Sequence, residues 1–298
     1  MEKVLFVYNP NAGKGTMKNK LSDVMEIFMR AGFEVTVFAT MQQGDATEIV
    51  KTNGGSYDRV ICSGGDGTLH EVTHGLMEIP ADKRPACGYI PAGTVNDFAS
   101  GIKLPKRILK AAEVAAGGNS RAFDIGQMNG KYFTYVAAFG AFTSVSYETP
   151  QATKNLLGKT AYILDGVAKL NTIKSVSVRI NVDGEEWEEE CILGMVTNAK
   201  SIGGLKLYRK QKVSLDDGYF DGIFVRTPKN PIELNLVMNF LVTGEENAQV
   251  RFVRGRQVTI TSQKEISYTL DGENGGQHKK AVITNHRQAI TFFHGLKK

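Results

Sequence analysis

Three cysteines in 298 residues, Cys62, Cys87 and Cys191, are too few and too widely spaced for a disulfide framework, and none falls in a Cys-x-x-Cys pair that would hold zinc. A reducing compartment suits them, so the expected location is cytoplasmic. Nowhere do ~18 apolar residues stand together, and the apolar run at 4–8 is shorter than the core of a signal peptide. Neither a membrane span nor secretion is expected. No nucleic-acid module or basic stripe interleaved with aromatics occurs, which argues against DNA or RNA as a partner. Nor does the composition, 42% hydrophobic and 22% charged, leave room for long disorder, a collagen repeat or a coiled-coil rod.

What remains is ordinary globular chain with one excess. Its 32 glycines, many in polar clusters that follow apolar runs, point to backbone loops shaped around a ligand. At roughly 150 residues per domain the length suggests two domains. Over residues 1–125, short β-branched runs at 4–8, 34–38, 59–62 and 87–90 alternate with helical patterns at 18–31 and from Thr68, which predicts a parallel α/β sheet. Three of those strands end in Gly-bearing loops, and ligands of open α/β sheets bind at that carboxyl edge. From 126 to 298 the pattern turns to period-2 stretches such as 175–182 and 256–261, with helical insertions near 155–169 and 232–242. This half reads as a mainly-β sandwich. Residues 1–125 carry 14 basic and 14 acidic side chains, so the net +5 falls entirely in the second half. One run, 200–212, holds Lys200, Lys206, Arg209, Lys210 and Lys212 without an acid and could meet anionic headgroups.

Gly64-Gly65-Asp66-Gly67-Thr68 follows a strand and opens a helix, so its backbone N–H groups converge where the helix dipole is positive, a phosphate-binding arrangement. An aspartate in an anion site has a reason if it shares magnesium with nucleotide phosphates. The segment Asn9-Pro10-Asn11-Ala12-Gly13-Lys14-Gly15 is not a Walker A loop, because Tyr8 stands where the first glycine belongs and Gly15 where the Ser/Thr belongs.

Taken together, Asn-Pro-x-x-Gly, Gly-Gly-Asp-Gly-Thr and the loop Pro91-Ala92-Gly93-Thr94-Val95-Asn96-Asp97 resemble the diacylglycerol kinase catalytic family. The likeness continues through Asp124-Ile125-Gly126, Leu157-Gly158-Lys159-Thr160-Ala161-Tyr162, Leu215-Asp216-Asp217-Gly218-Tyr219-Phe220 and Asp271-Gly272-Glu273. Within the family it is strongest with the soluble bacterial enzymes, particularly through Val145-Ser146-Tyr147-Glu148-Thr149-Pro150. The resemblance implies an N-terminal nucleotide domain, a C-terminal β-sandwich, and a cleft where ATP and magnesium (Mg2+) meet the hydroxyl of diacylglycerol. It further implies peripheral contact with the inner face of the membrane, and a homodimer. Carried over by position, Asn9, Pro10, Asn11, Ala12, Gly13, Thr40, Gly65, Asp66, Gly67, Thr68, Leu69, His70, Glu71 and Thr94 would contact ATP, and Asp66 would hold the catalytic magnesium. Asp124 and Glu273 match the family's acidic pair, with Glu273 as proton acceptor. A structural magnesium would be held by the Asp217 carboxylate with the Ser214 and Tyr219 carbonyls. Another lipid hydroxyl, of phosphatidylglycerol or a sphingoid base, is an alternative acceptor, and NAD kinases share Gly-Gly-Asp-Gly-Thr.

Two histidines depart from the family, which commonly has Asn at both places. They create His70-Glu71-Val72-Thr73-His74, a literal H-E-x-x-H, which on a helix would present two imidazoles for zinc with Glu71 as general base. Gly93 to Asp97 even supplies a Gly-Thr-x-x-Asp like the third-ligand motif of some zinc proteases. Against this, Met77 and Pro80 replace the Gly and His of the extended motif, and the cysteine pattern is not that of a secreted protease. His70 and His74 are therefore expected on the helix surface, near the nucleotide.

Overall fold

The computed structural model describes residues 1–140, 175–199, 202 and 213–296. The motifs at 145–150 and 157–162, the helical pattern at 155–169 and the basic run at 200–212 lie outside the described residues.

Strands β1 (Glu2–Tyr8), β2 (Phe33–Ala39), β3 (Arg59–Gly64) and β4 (Ala86–Pro91) lie side by side in the order β2-β1-β3-β4, all parallel. Parallel strands need crossovers, and helices α1 (Leu21–Arg30), α2 (Asp45–Asn53) and α3 (Asp66–Met77) supply them. Val4, Leu5, Phe6 and Val7 are all inaccessible to solvent, because Leu5 and Val7 face one core while Val4 and Phe6 face another. Burial on both faces explains why these strands read as unbroken apolar runs rather than alternating ones. A short helix α4 (Asp97–Gly101) and α5 (Ile108–Gly117) complete the helical layers. The periodicity at 18–31 becomes a short 3-10 turn and then α1, whereas α2 and α5 carry weaker patterns that the sequence did not single out.

The second half is built from β5 (Asn119–Met128), β6 (Lys131–Phe133), β7 (Val136–Gly140), β8 (Val176–Val182), β9 (Glu185–Thr197), β10 (Phe220–Arg226), β11 (Val250–Gly255), β12 (Gln257–Leu270) and β13 (Glu273–His294). Among the described residues of this half one helix occurs, α6 (Pro231–Thr243), whose Phe240 meets Phe252 of the edge strand β11 at 6.0 Å. It starts at the Asn230 side chain, which accepts the Glu233 N–H at 2.9 Å, and stops at Gly244 with φ 68°. Strands β7 and β8 fill successive stretches of the gap between β9 and β12. The sheet curls over a core containing Phe133, Phe139, Phe220 and Phe224, and Phe133 of β6 stacks on Phe220 of β10 at 5.6 Å although the two strands are not paired. This is the sandwich-like domain expected from the sequence, made by one sheet folded on itself.

Strand β13 joins the halves. Its first part pairs with β12, its later part runs antiparallel to β5 from Ile283 to His294, and at Phe292 it pairs with Cys87 of β4. The thirteen strands of the described residues thus form one hydrogen-bonded network. A boundary at residue 125 leaves out this return: Ile290 and Phe292 belong to the core of the N-terminal half, where Phe292 meets Phe98 and Phe123 edge-on at 4.9 and 6.0 Å.

Candidate active site

The carboxyl ends of β1, β3 and β4 bring three glycine loops together. Asn9 N–H donates to Ser63 O and Ala92 N–H to Gly64 O, both at 2.8 Å, which ties each loop to the next strand. Approach is close enough to require glycine at two places. A Cβ on Gly13, whose φ is +59°, would stand 2.3 Å from Ala92 O, and one on Gly93 would stand 2.5 Å from Gly65 Cα. Asn96, in the left-handed region at φ 55°, folds the 91–97 loop by accepting Gly93 N–H at 3.0 Å and donating to Gly93 O at 2.7 Å. Asn9 reaches toward Thr68 Oγ1 at 3.5 Å, and its Oδ1 accepts Asn11 N–H at 2.9 Å.

At the mouth of these loops α3 begins, and acids gather there. Asp66, the first helical residue, is pushed up to about 7 by burial and by the neighbouring Asp97 carboxylate, with Asp271 adding to the effect. Its Oδ2 accepts Asp97 N–H at 3.3 Å, while its Oδ1 is buried without any partner. Glu273, from the hairpin joining β12 to β13, reaches over the same helix end. Its Oε1 lies 2.7 Å from where a Cβ on Gly67 would stand. A helix N-terminus favours anions, but an orphan carboxylate oxygen beside two more buried acids calls for a cation. Magnesium suits it, since that ion is held by one or two carboxylates plus phosphate oxygens rather than by a closed protein cage.

The chain's two halves match two families in succession. Residues 3–128 match the Diacylglycerol kinase catalytic domain, and residues 136–291 match the YegS C-terminal NAD kinase beta sandwich-like domain. A diacylglycerol kinase of Staphylococcus carnosus is 40% identical over 296 residues, which is 98% of this chain and 95% of that one. The diacylglycerol kinase of Bacillus subtilis is 36% identical over 291 residues, 96% of this chain and 95% of that one. The crystal structure of a diacylglycerol kinase from Bacillus anthracis str. Sterne aligns with a TM-score of 0.77 at 25% identity, covering 99% of this chain and 97% of that chain. The chain belongs to the diacylglycerol kinase family. It is a lipid kinase, and the alternative readings of the sequence recede.

Against that family's pattern, the residues expected at the nucleotide divide. Asn9, Pro10, Asn11, Gly13, Gly65 and the exposed Thr94 lie on the converging loops, and Asp66 and Gly67 open α3 beside them. Ala12, Thr40, Thr68 and Leu69 are buried at 9% exposure or less, Thr68 with its hydroxyl toward Asn9 and Thr40 with its N–H on Tyr8 O. Glu71 points elsewhere: its two oxygens accept Gly44 N–H at 2.9 Å and Ala46 N–H at 3.2 Å, satisfying the first turn of α2. His70 donates from Nδ1 to Asp271 Oδ2 at 3.0 Å, and His74 has both ring nitrogens engaged, Nδ1 with His70 O at 3.1 Å and Nε2 accepting Tyr132 N–H at 3.0 Å. The H-E-x-x-H motif is thus a set of structural hydrogen bonds, and its glutamate faces away from both imidazoles. Neither histidine stands on a free helix surface. Both face the second domain.

The structure gives Asp124 different company from Glu273. It is fully buried on β5, which raises its pKa; Oδ1 accepts Gln288 N–H at 2.8 Å, and Oδ2 accepts Gly218 N–H at 2.6 Å and Asn285 Nδ2 at 3.4 Å. Asp124 thereby fastens the 214–219 loop to β13. Within that loop Ser214 Oγ donates to Asp216 at 2.6 Å, and Asp216 also pairs with Arg121. Asp217 accepts Tyr219 N–H at 3.0 Å and pairs with Arg254 at 2.5 Å. Each Asp217 oxygen thus has one partner, a backbone N–H on Oδ1 and the Arg254 guanidinium on Oδ2, and a metal ion held by Asp217 with the Ser214 and Tyr219 carbonyls would take the place of that arginine. The sequence assigned Asp97 and Asp271 no part in the kinase site. Both were quoted within motifs, yet Asp-Gly reads as a hairpin turn and Asn-Asp as a helix start, and neither pattern tells that the carboxylate faces inward.

Proposed function

We propose that the protein transfers the γ-phosphoryl group of ATP to the free hydroxyl of diacylglycerol, giving phosphatidic acid, in the cleft where the start of α3 meets the 270–273 hairpin. The observation that carries this reading is the position of Glu273. A carboxylate from the second domain lies over the glycine next to Asp66, at the helix end whose N–H groups suit phosphate. Phosphoryl transfer needs the reactants positioned and the charge neutralised. Asp66 would hold magnesium, which when bound neutralises phosphate charge. The glycine loops of β1, β3 and β4 bind and orient the triphosphate through backbone donors. Glu273 accepts the proton of the lipid hydroxyl as that oxygen bonds to the γ-phosphorus and the bond from the γ-phosphorus to the β–γ bridging oxygen breaks, ADP leaving, so the acid on the second domain completes the site only when both halves are in contact.

The acceptor's acyl tails keep it in a bilayer, so the enzyme works at a membrane surface from the ATP-containing cytoplasm. No helix among the described residues is long and apolar enough to cross a membrane. Peripheral contact is supported by a groove of about 880 Å³ beside the 91–96 loop, where Lys103, Lys106 and Arg107 join the exposed Thr94 and Val95. Assembly as a homodimer follows the family resemblance, and sedimentation of the purified chain tests it.

Labelled ATP with diacylglycerol in mixed micelles tests the reaction. Glu273→Gln should lose ~10²–10⁴ in turnover while binding ATP normally, and Asp66→Asn should lose at least as much and remain folded. A folded Glu273→Gln protein with turnover near wild type would remove the proton-acceptor assignment, and an unphosphorylated lipid with intact wild-type protein would remove the reaction itself.

A further inference from the structure

Asp271 is 4% exposed, its φ is 53°, and four donors converge on its carboxylate. Oδ1 accepts Tyr135 N–H at 2.9 Å and Val136 N–H at 3.0 Å, and Oδ2 accepts Thr134 N–H at 2.6 Å and His70 Nδ1–H at 3.0 Å. Its own backbone is held by the same 134–136 turn, through N–H to Val136 O at 2.8 Å and through its carbonyl, which accepts the Tyr135 hydroxyl at 3.3 Å. Every one of these partners lies in the second half of the chain except His70, which comes from α3. Two residues beyond Asp271 stands Glu273, with Gly272 at φ +88° between them. On α3, His70 follows Gly67 by three residues and so shares its face. The helix therefore touches the hairpin at two points one turn apart, Gly67 under the Glu273 carboxylate and His70 on the Asp271 carboxylate. Thr73 and His74 extend the same contact, Thr73 Oγ1 lying 3.2 Å from Thr134 Oγ1 and His74 accepting Tyr132 N–H.

We propose that Asp271 and His70 are positioning residues for Glu273: Asp271 fixes the hairpin to the second domain, and the His70 N–H fixes that hairpin to the phosphate-binding helix, so that the proton acceptor is aligned only when this contact is made. The inference rests on the reading of Glu273 as proton acceptor. It assigns His70 to the hairpin and not to the nucleotide.

The side-chain geometry supplies its own control. An asparagine amide places N–H where the imidazole has Nδ1, so His70→Asn keeps the donor, whereas His70→Leu removes it at similar bulk. Four proteins, His70→Leu, His70→Asn, Glu273→Gln and the His70→Leu/Glu273→Gln double variant, are compared for kcat, KM for ATP, and thermal midpoint. Loss of alignment predicts a fall in kcat of about tenfold to a hundredfold for His70→Leu, with KM for ATP within about twofold of wild type and kcat largely recovered in His70→Asn. In the Glu273→Gln background, His70→Leu should change the residual rate by less than about twofold, because residues acting through one group are not additive. A raised KM for ATP at unchanged kcat would return His70 to the nucleotide site and overturn the proposal. So would a fully multiplicative double variant, or a lowered thermal midpoint with normal kcat for the folded protein. Glu273→Gln alone reports on the proton-acceptor reading, and the double variant on the positioning role, so the two fail separately.

Discussion

Gly67 shows how one missing side chain sets the site. Its φ is not in the left-handed region, and it lies inside α3, where alanine is ordinarily the better residue by up to ~1 kcal/mol. What excludes alanine is Glu273 Oε1, 2.7 Å from the Cβ position. Because that oxygen is the far end of a flexible side chain, the backbone need not move; the carboxylate must. Gly67→Ala is therefore expected to fold with an equal or higher thermal midpoint and an unchanged affinity for ATP, yet to lose about tenfold or more in kcat. Turnover at the wild-type rate would show that the approach of Glu273 to the helix has no catalytic role. The glycines of Gly-Gly-Asp-Gly-Thr were legible in the sequence as phosphate-loop residues, because short backbone signals are local. That one of them makes room for an acid some 200 positions later, between Gly67 and Glu273, was not.

At the scale of elements, α3 does three tasks with three faces. Its first residues meet the loops, Glu71 holds α2, and His70, Thr73 and His74 hold the second domain. The sequence showed the helix and its amino end but misread its histidines, since H-E-x-x-H spacing says that two imidazoles share a face and nothing of what faces them. The arrangement has a pH consequence. Burial, and then the nearby His70, hold the pKa of His74 below 6.5, against a pull upward from His70 O and Asp271 and a smaller push downward from Lys131. Nε2 accepts Tyr132 N–H, so protonating it would set two donors against each other. The unfolded chain takes up a proton near 6.5 that the folded chain refuses. This part of the stability is therefore complete above about pH 7 and is lost as pH falls through 6.5 toward the lower folded value. His286 and His294, also held low by burial, act in the same direction. His74→Gln keeps an acceptor at the end of the side chain and cannot titrate. It should flatten the decline in thermal midpoint between pH 7.5 and pH 5.5, and a slope identical to wild type would show that the drop arises elsewhere.

The whole molecule depends on a strand whose two ends serve different cores. Alternating segments mark in the sequence which half is α/β and which is β, because each signal spans under about ten residues. The return of β13 into the first half leaves no such mark; its apolar residues Ile290, Phe292 and Phe293 look like the end of any strand. Yet Phe292 is fully buried between Phe98 and Phe123, Ile290 is 1% exposed, and β13 pairs with both β4 and β5 there. Replacing Phe292 by alanine should cost about 3–5 kcal/mol, a large part of a total stability of roughly 5–15 kcal/mol. A stronger expectation follows for the region that matches the catalytic-domain family. Cut off at residue 128, it would keep every glycine loop and lose its last strand, baring the β4 edge, Phe98 and Phe123. The 1–128 fragment should fail to unfold cooperatively and should not bind ATP, whereas residues 283–296 joined to it through a flexible linker should restore both. A soluble 1–128 fragment that melts in one sharp transition and binds ATP as the full chain does would show that the nucleotide half folds without the strand, and that β13 only docks the two domains.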